Sequence, residues 1–334
     1  MPYHSKSILV VAGEVSGDIH LAKVVKEMKA LREDLHFFGS GGDKMKEQGV
    51  ELLAHIKDLS VMGFTGLPRL LPRLYVLKNS ILKRVAQEKV PLAILTDYPG
   101  FNLTLARSLK RLHHPPRVLY YIAPQVWAWN PQRARQLKQY TDGLAVVFSF
   151  EVPLFHSLGG NVRFVGHPLL DDISNNPIHP STHRPIDLAL LPGSRVQVVK
   201  SLLPYMITTA EIVKNRFPLW RIGLSQRGEL PAYLFQNLIR DYPWLELFTD
   251  SHHLLSQSRY ALIASGTASL EAALLGTPQV VVYRTSVLNY LIAQRLVKLP
   301  FISLVNILSS TQLVPELIQH HFQPETAASF FFNW

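Results

Sequence analysis

The sequence contains no cysteine, which excludes disulfides and thiolate metal sites and permits a reducing compartment. It has no apolar run approaching the roughly 20 residues that cross a bilayer. The first residues, MPYHSKSILVVAG, close a short apolar run with a glycine turn, unlike the long apolar region and cleavage site of a signal peptide. A cytoplasmic protein that touches a membrane without spanning it is therefore expected. There is no G-x-x-x-x-G-K-[ST] loop and no HExxH, and the first turn lacks G-x-G-x-x-G spacing, which removes support for NAD chemistry. His113/His114, His252/His253 and His320/His321 are adjacent pairs, a spacing that does not put both rings on one helix face, so they read as surface histidines. No metal and no cofactor are expected. Acidic residues are scarce: 24 against 34 lysines and arginines, a net charge of +10. That excess favours an anionic partner, and no helix-turn-helix, zinc-finger or RNA-recognition signature directs it toward nucleic acid.

What the sequence does contain is alternation. Short apolar runs at Ser7–Ala12, His36–Gly39, Leu92–Thr96, Arg117–Ile122 and Gly143–Phe148 predict parallel strands buried on both faces. Helical patterns lie between them at Asp18–Leu31, Phe101–Leu112 and Pro131–Tyr140. The pattern thins at 171-DDISNNPIHPSTHRPID-187, which predicts a linker, and restarts with strands near Leu188–Leu191, Trp220–Leu224, Leu245–Phe248, Ala261–Ala264 and Gln279–Tyr283. The expected architecture is α/β: two Rossmann-like doubly wound domains, residues 1–170 and 188–334, facing a cleft, with ligands at the carboxyl ends of strands.

Those strand ends carry the candidate chemistry. In 12-AGEVSGD-18, the residues Glu14, Ser16 and Asp18 can hydrogen-bond a polyhydroxylated ligand, or Ser16 or Asp18 can simply cap the helix that follows. The cluster 39-GSGGDKM-45 reads equally as a flexible turn. In 94-ILTDYPGFN-102, Asp97 ends an apolar strand at a sharp turn, where a carboxylate can take a proton from a hydroxyl or merely accept turn hydrogen bonds. Trp127 and Trp129 stand beside a helix start and two arginines, and suit either stacking on a sugar or core packing. His167 is a polar ligand or a structurally bonded histidine.

The second half offers two phosphate-type turns. In 189-ALLPGSR-195, the amides of Gly193 and Ser194 with the Arg195 guanidinium make a diphosphate clamp. In 262-LIASGTASLEAALLGTPQVVVYR-284, Ser265, Gly266 and Thr267 bring N–H and hydroxyl donors to a helix start, and Glu271 stands where it can grip a ribose diol. Together they predict the diphosphate of a nucleotide, bound without a P-loop. In 61-VMGFTGLPRLLPRLYVLKNSILKR-84, Leu74, Leu77, Ile81 and Val85 recur at helical spacing, Pro72 can start the helix, and Arg73, Lys78, Lys83 and Arg84 add charge. A core-facing helix and a membrane-surface patch both fit.

Taken in order, GEVSGD (13–18), GSGGDKM (39–45), VMGF (61–64), DYPGFN (97–102), APQVWAW (123–129), FVGHPLLD (164–171), LPGSR (191–195), SGTASLE (265–271) and PEL (315–317) resemble the landmarks of the lipid-A-disaccharide synthases, from about residue 8 to 320. The resemblance implies an inverting glycosyltransferase of family 19 with the two-Rossmann GT-B architecture. It implies transfer of 2,3-diacylglucosamine from UDP-2,3-diacylglucosamine to the 6-hydroxyl of 2,3-diacylglucosamine 1-phosphate, giving a β-1,6 disaccharide and UDP. It also implies a peripheral protein on the cytoplasmic face of the inner membrane, in contact with its anionic surface, and admits a homodimer.

Residue by residue, the resemblance makes Asp97 the base and sets Arg195 on donor phosphate. It lines the diphosphate with Gly193, Ser194, Ser265, Gly266 and Thr267, and puts Glu271 on the ribose. Asn306 and Glu316, in 303-SLVNILSSTQLVPEL-317, fall in a region that closes over the nucleotide, and Glu14, Ser16 and Asp18 fall in the acceptor-side loop. Gly66 stands where the family often has glutamate, and Gly100 where many members have a second aspartate. Family chains continue for several dozen residues beyond the point matched by 330-FFFNW-334, so a shortened C-terminus is expected. Two other readings are compatible with the residues: a UDP-N-acetylglucosamine 2-epimerase-like enzyme, and an inactive nucleotide-sugar or lipid-binding module.

Overall fold

A computed structural model describes residues 6–59, 67–124, 131–157, 159–175, 185–226, 230–286, 290–291, 294–295 and 300–332. The chain divides into two compact units, Met1–Leu170 and Asp171–Trp334. The first holds strands β1 (Ser7–Ala12), β2 (His36–Gly41), β3 (Glu51–His55), β4 (Leu92–Thr96), β5 (Arg117–Tyr121), β6 (Gly143–Val146) and β7 (Val162–Phe164). They form one sheet in the order β3-β2-β1-β4-β5-β6-β7, every pairing parallel. The second holds β8 (Ile186–Leu191), β9 (Ile222–Ser225), β10 (Leu245–Phe248), β11 (Ser258–Ala264), β12 (Gln279–Tyr283) and β13 (Glu316–Ile318), ordered β10-β9-β8-β11-β12-β13 and again all parallel.

Parallel strands require crossover connections, and helices on both sheet faces bury both sets of alternating side chains. In the first unit Leu9, Val11, Ala93, Leu95, Val118 and Tyr120 enter one core, while Ile8, Val10, Ala12 and Ile94 enter the other. In the second, Leu188, Leu190, Leu262 and Val280 oppose Ala189, Leu191, Ala261 and Ile263 in the same way. Each sheet therefore has polar or glycine residues mainly at its strand ends. The winding reverses once in each sheet, between β1 and β4 and between β8 and β11, where sequence-distant strands lie side by side.

Three strands escape the sequence reading: β3, β7 and β13, each at a sheet edge and each with exposed or polar positions such as Glu51, Arg163 and Glu316. A helix, Pro168–Asn175, occupies the first residues of the expected linker, and 176–184 lie outside the described residues. The helix after the VMGF segment runs Leu67–Glu88, so Pro72 lies inside it rather than starting it, and one i to i−4 hydrogen bond is forgone. Its Leu77, Ile81 and Val85 are buried in the core, whereas Leu71, Tyr75 and Val76 are exposed. VMGF itself and Gly66 lie outside the described residues, as do Trp127 and Trp129. No described helix is long and apolar enough to cross a membrane.

The segment 39–45 is not a flexible turn. Gly39 belongs to β2, paired with Val10 of β1, and a Cβ there would overlap the Val10 carbonyl oxygen. Asp18 requires a correction. The helix Val15–Leu31 begins with Glu14 at its cap position, and Asp18 lies inside it, 3% exposed. Its carboxylate accepts the N–H of Gly42 at 2.6 Å, of Lys44 at 3.0 Å and of Met45 at 3.1 Å. These are the unpaired amides opening the next helix, Asp43–Glu47. Asp18 therefore binds its own chain, across to the start of that helix.

Two outcomes in urea unfolding follow. Gly39→Ala is expected to destabilise by about 4 kcal/mol or more, because the overlap is with backbone that cannot rotate away. Asp18→Ala is expected to cost roughly 2–4 kcal/mol by stranding three amides; a variant of unchanged stability would refute the clamp.

Candidate active site

At the switch point of the first sheet the chain leaves β4 through two residues in the left-handed region, Asp97 (φ 54°) and Tyr98 (φ 42°). Neither is glycine, so the conformation must be held by its surroundings. Asn102, buried in the next helix, donates from Nδ2 to the carbonyl of Asp97 at 2.8 Å and to that of Thr96 at 3.0 Å. The hydroxyl of Tyr120, on β5, donates to the same Asp97 carbonyl. The backbone is pinned from below, and the half-buried Asp97 side chain stands at the sheet's carboxyl edge.

The turn after β1 meets it there. Ser16 Oγ donates to Asp97 Oδ2 at 3.3 Å. A Cβ on Gly17 would overlap that carboxylate, and one on Gly13 would overlap Tyr98, so glycine at both positions lets the two turns touch. Glu14 and Ser16 are exposed beside them. Burial, and secondarily the Glu14 carboxylate, raises the Tyr98 phenol above its ordinary pKa. The geometry brings Glu14, Ser16 and Asp97 together and takes Asp18 away. Gly100 is exposed with open space around it, and His167 accepts the Leu169 N–H and packs on Phe148.

At the switch point of the second sheet, β8 and β11 pair through Leu191 and Ile263, so the turns that follow them are neighbours. Gly193 has φ 101°, and a Cβ on it would lie 3.5 Å from the Cβ of Ala264. Arg195 is the N-cap residue of the long helix Val196–Arg216, and both it and Ser194 are exposed. Gly266 and Thr267, also exposed, open the helix Thr267–Leu274. Two helix starts thus offer first-turn amides at adjacent strand ends, an arrangement suited to an anion.

Three residues read as nucleotide contacts are bonded within their own unit. The Ser265 N–H donates to the Val282 carbonyl and its hydroxyl to the Ile302 carbonyl, both at 2.9 Å, so its donors are spent on β12 and on the 302 loop. Asn306 is fully buried; Nδ2 donates to Val314 and to Glu316, while Oδ1 accepts from Leu313 and Val314. Glu316 accepts from Ile302 N–H at 3.0 Å, Ser303 N–H at 2.9 Å and Asn306 at 2.7 Å. Asn306 and Glu316 therefore hold residues 302–316 in shape, and Ser265 ties that loop to the Gly266 turn.

Two residues emerge that the sequence reading passed over. Arg284, just past β12, stacks its guanidinium 3.9 Å from the centre of the Tyr205 ring and has a buried Nη1 with no partner among the described residues. A lone arginine after a strand carries no motif. His252, read as a surface histidine, is partly buried and its Nδ1 lies 2.8 Å from Glu271 Oε1.

The sequence model described as Lipid-A-disaccharide synthetase matches residues 8–331. The chain is 39% identical over 336 residues to the lipid-A-disaccharide synthase of Syntrophus aciditrophicus, covering 98% of this chain and 87% of that one. It is 35% identical over 330 residues to the enzyme of the same name from Myxococcus xanthus, covering 96% and 86%. Among solved structures it resembles the UDP-GlcNAc 2-epimerase of Methanocaldococcus jannaschii in complex with UDP-GlcNAc and UDP, with TM-score 0.62 and 11% identity over 97% of this chain and 90% of that one. It also resembles a calicheamicin glycosyltransferase, with TM-score 0.57 and 14% identity over 99% and 89%. The structural likenesses define a fold of two Rossmann-like units, the GT-B fold, shared by epimerases and glycosyltransferases; the sequence likeness is narrower, and by it the chain belongs to the lipid-A-disaccharide synthetase family.

Proposed function

We propose that this protein transfers 2,3-diacylglucosamine from UDP-2,3-diacylglucosamine to the 6-hydroxyl of 2,3-diacylglucosamine 1-phosphate, with inversion at the anomeric carbon. One observation carries the reading: within the family match over residues 8–331, Glu14, Asp97, Arg195 and Thr267 follow the carboxyl ends of β1, β4, β8 and β11.

In this reading the acceptor 6-oxygen attacks the anomeric carbon from the face opposite the departing phosphate. Its proton passes to the Asp97 carboxylate, which Asn102 and Tyr120 orient through the backbone. The bond from the anomeric carbon to the β-phosphate oxygen breaks, and its electron pair leaves with UDP. Charge developing there is met by Arg195 and by the first-turn amides after Gly193 and Gly266. Arg284 adds a second guanidinium at the same sheet edge, and Glu271 accepts from the ribose hydroxyls. Glu14 and Ser16 flank the base on the acceptor side.

The exposed Leu71, Tyr75 and Val76, with Arg73 and Lys78 close by in sequence, form the surface that meets anionic lipid and the acyl chains. The Lys78 ammonium lies 5.2 Å from the centre of the Tyr75 ring, so apolar and cationic groups are interleaved. The same helix anchors itself through Leu77, Ile81 and Val85 on its other side.

The first test is UDP release from UDP-2,3-diacylglucosamine in detergent, with and without acceptor. Acceptor-dependent release with a disaccharide product is expected, reduced roughly 10²–10⁴-fold in kcat by Asp97→Asn and about 10²-fold in kcat/KM by Arg195→Ala. Asp97→Asn should still bind UDP; release independent of acceptor, or epimerisation of UDP-GlcNAc, would overturn the reading. A second test is co-sedimentation with anionic vesicles. The double variant Leu71→Ser, Val76→Ser is expected to lower the bound fraction several-fold while leaving UDP affinity unchanged, and unchanged sedimentation would remove this surface from the proposal.

A further inference from the structure

Glu271 sits on the helix Thr267–Leu274, one turn beyond the anion-facing amides, on a side chain with three rotatable bonds. A carboxylate that selects hydroxyl groups must be held still, or the ordering entropy is lost from binding. The group that holds it comes from a different element. His252 lies in the first turn of the helix Ser251–Ser256, whose N-cap Asp250 accepts the backbone N–H groups of His252 at 2.9 Å and His253 at 3.1 Å. With the backbone fixed by that cap, the imidazole reaches Glu271 Oε1 from Nδ1 at 2.8 Å. The two side chains are 26% and 15% exposed, so the contact is shielded enough to be geometrically definite.

The rest of the ring tells what the contact is for. His252 Nε2 is buried and has no partner among the described residues, so the imidazole is not tied into a wider structural network. Its polar bonding is directed at Glu271. A carboxylate oxygen accepts, so the contact assigns the donor role to Nδ1. Engagement of Oε1 orients the carboxylate, and Oε2 has no recorded partner among the described residues.

We propose that His252 is a positioning residue: it fixes the Glu271 carboxylate for the ribose hydroxyls and so makes the donor site selective for ribonucleotides over 2′-deoxyribonucleotides. This rests on the reading that Glu271 receives the ribose. The adjacent His253 is exposed and approaches Gln257 instead, so the role falls on one member of the pair.

The experiment compares UDP with 2′-deoxy-UDP by calorimetry on the full chain, in wild type, Glu271→Ala, His252→Ala and His252→Asn. Wild type is expected to prefer UDP by about 10-fold or more, the scale of one hydrogen bond to a charged group. Glu271→Ala should abolish that preference. His252→Ala should reduce it to about 3-fold or less through weaker UDP binding, with 2′-deoxy-UDP affinity nearly unchanged. His252→Asn, whose amide nitrogen can stand near the Nδ1 position, should recover part of it. His252→Phe removes the donor while keeping ring volume and gives the same reading if the alanine variant does not fold. A preference lost in Glu271→Ala but intact in His252→Ala and His252→Phe overturns the role of His252 alone. Equal weakening of both nucleotides in the His252 variants makes the residue merely structural and also overturns it. No preference in wild type overturns the ribose reading of Glu271 and this inference with it.

Discussion

Everything chemical in this chain depends on burying parallel strands on both faces. A strand such as Leu9–Ala12, with neighbouring strands at its edges and helices above and below, can carry no reactive group along its length. Polar side chains and exposed amides are pushed to the strand ends, and the carboxyl ends are where the crossover helices begin. Where successive crossovers turn opposite ways, two such ends lie together with no helix closing the space between them. The β1/β4 and β8/β11 pairs are those places, and they contain Asp97 with Ser16 in one unit and the Gly193 and Gly266 turns in the other.

The two switch points are built with different materials. The first stores backbone strain: Asp97 and Tyr98 are both left-handed, and Asn102 and Tyr120 supply the hydrogen bonds that hold the Asp97 peptide there. That fits a site where one carboxylate must face one direction. The second is relaxed by comparison. Its positive-φ residues are glycines, Gly193 and Gly266, and its donors are helix-start amides that need only be unobstructed. On the proposed function, a proton-transfer site and an anion site thus differ in how much conformational restraint the chain invests in them.

This difference explains what was legible from sequence. Buried strands announce themselves as apolar runs, so β1, β4 and β12 stand in the sequence where the structure has them. β3, β7 and β13 do not, because an edge strand has a solvent side and fills it with residues like Glu51 and Arg163, erasing the run. Candidate residues at strand ends were legible as positions, since Asp97, Arg195 and Thr267 each follow an apolar run. Long-range hydrogen-bond partners were not, because Tyr120 meets Asp97, and His252 meets Glu271, only through intervening strands and helices that no local pattern encodes.

The residues that changed meaning share one property. Asp18, Asn306 and Glu316 are polar side chains inside motifs, and each binds several backbone or amide groups of its own unit. A short motif cannot distinguish a carboxylate that grips a ligand from one that caps a loop, since both need an acceptor at a turn. Burial separates them: a group sealed away at 3% exposure with three internal donors has little capacity left for a ligand. By that measure Asp18 belongs to the frame, whereas Arg195 and Thr267 remain exposed at the edge where a nucleotide would be met. Glu271 stands between these cases, with one oxygen committed to His252, which is what a ligand-binding carboxylate requires if it is to be both fixed and available.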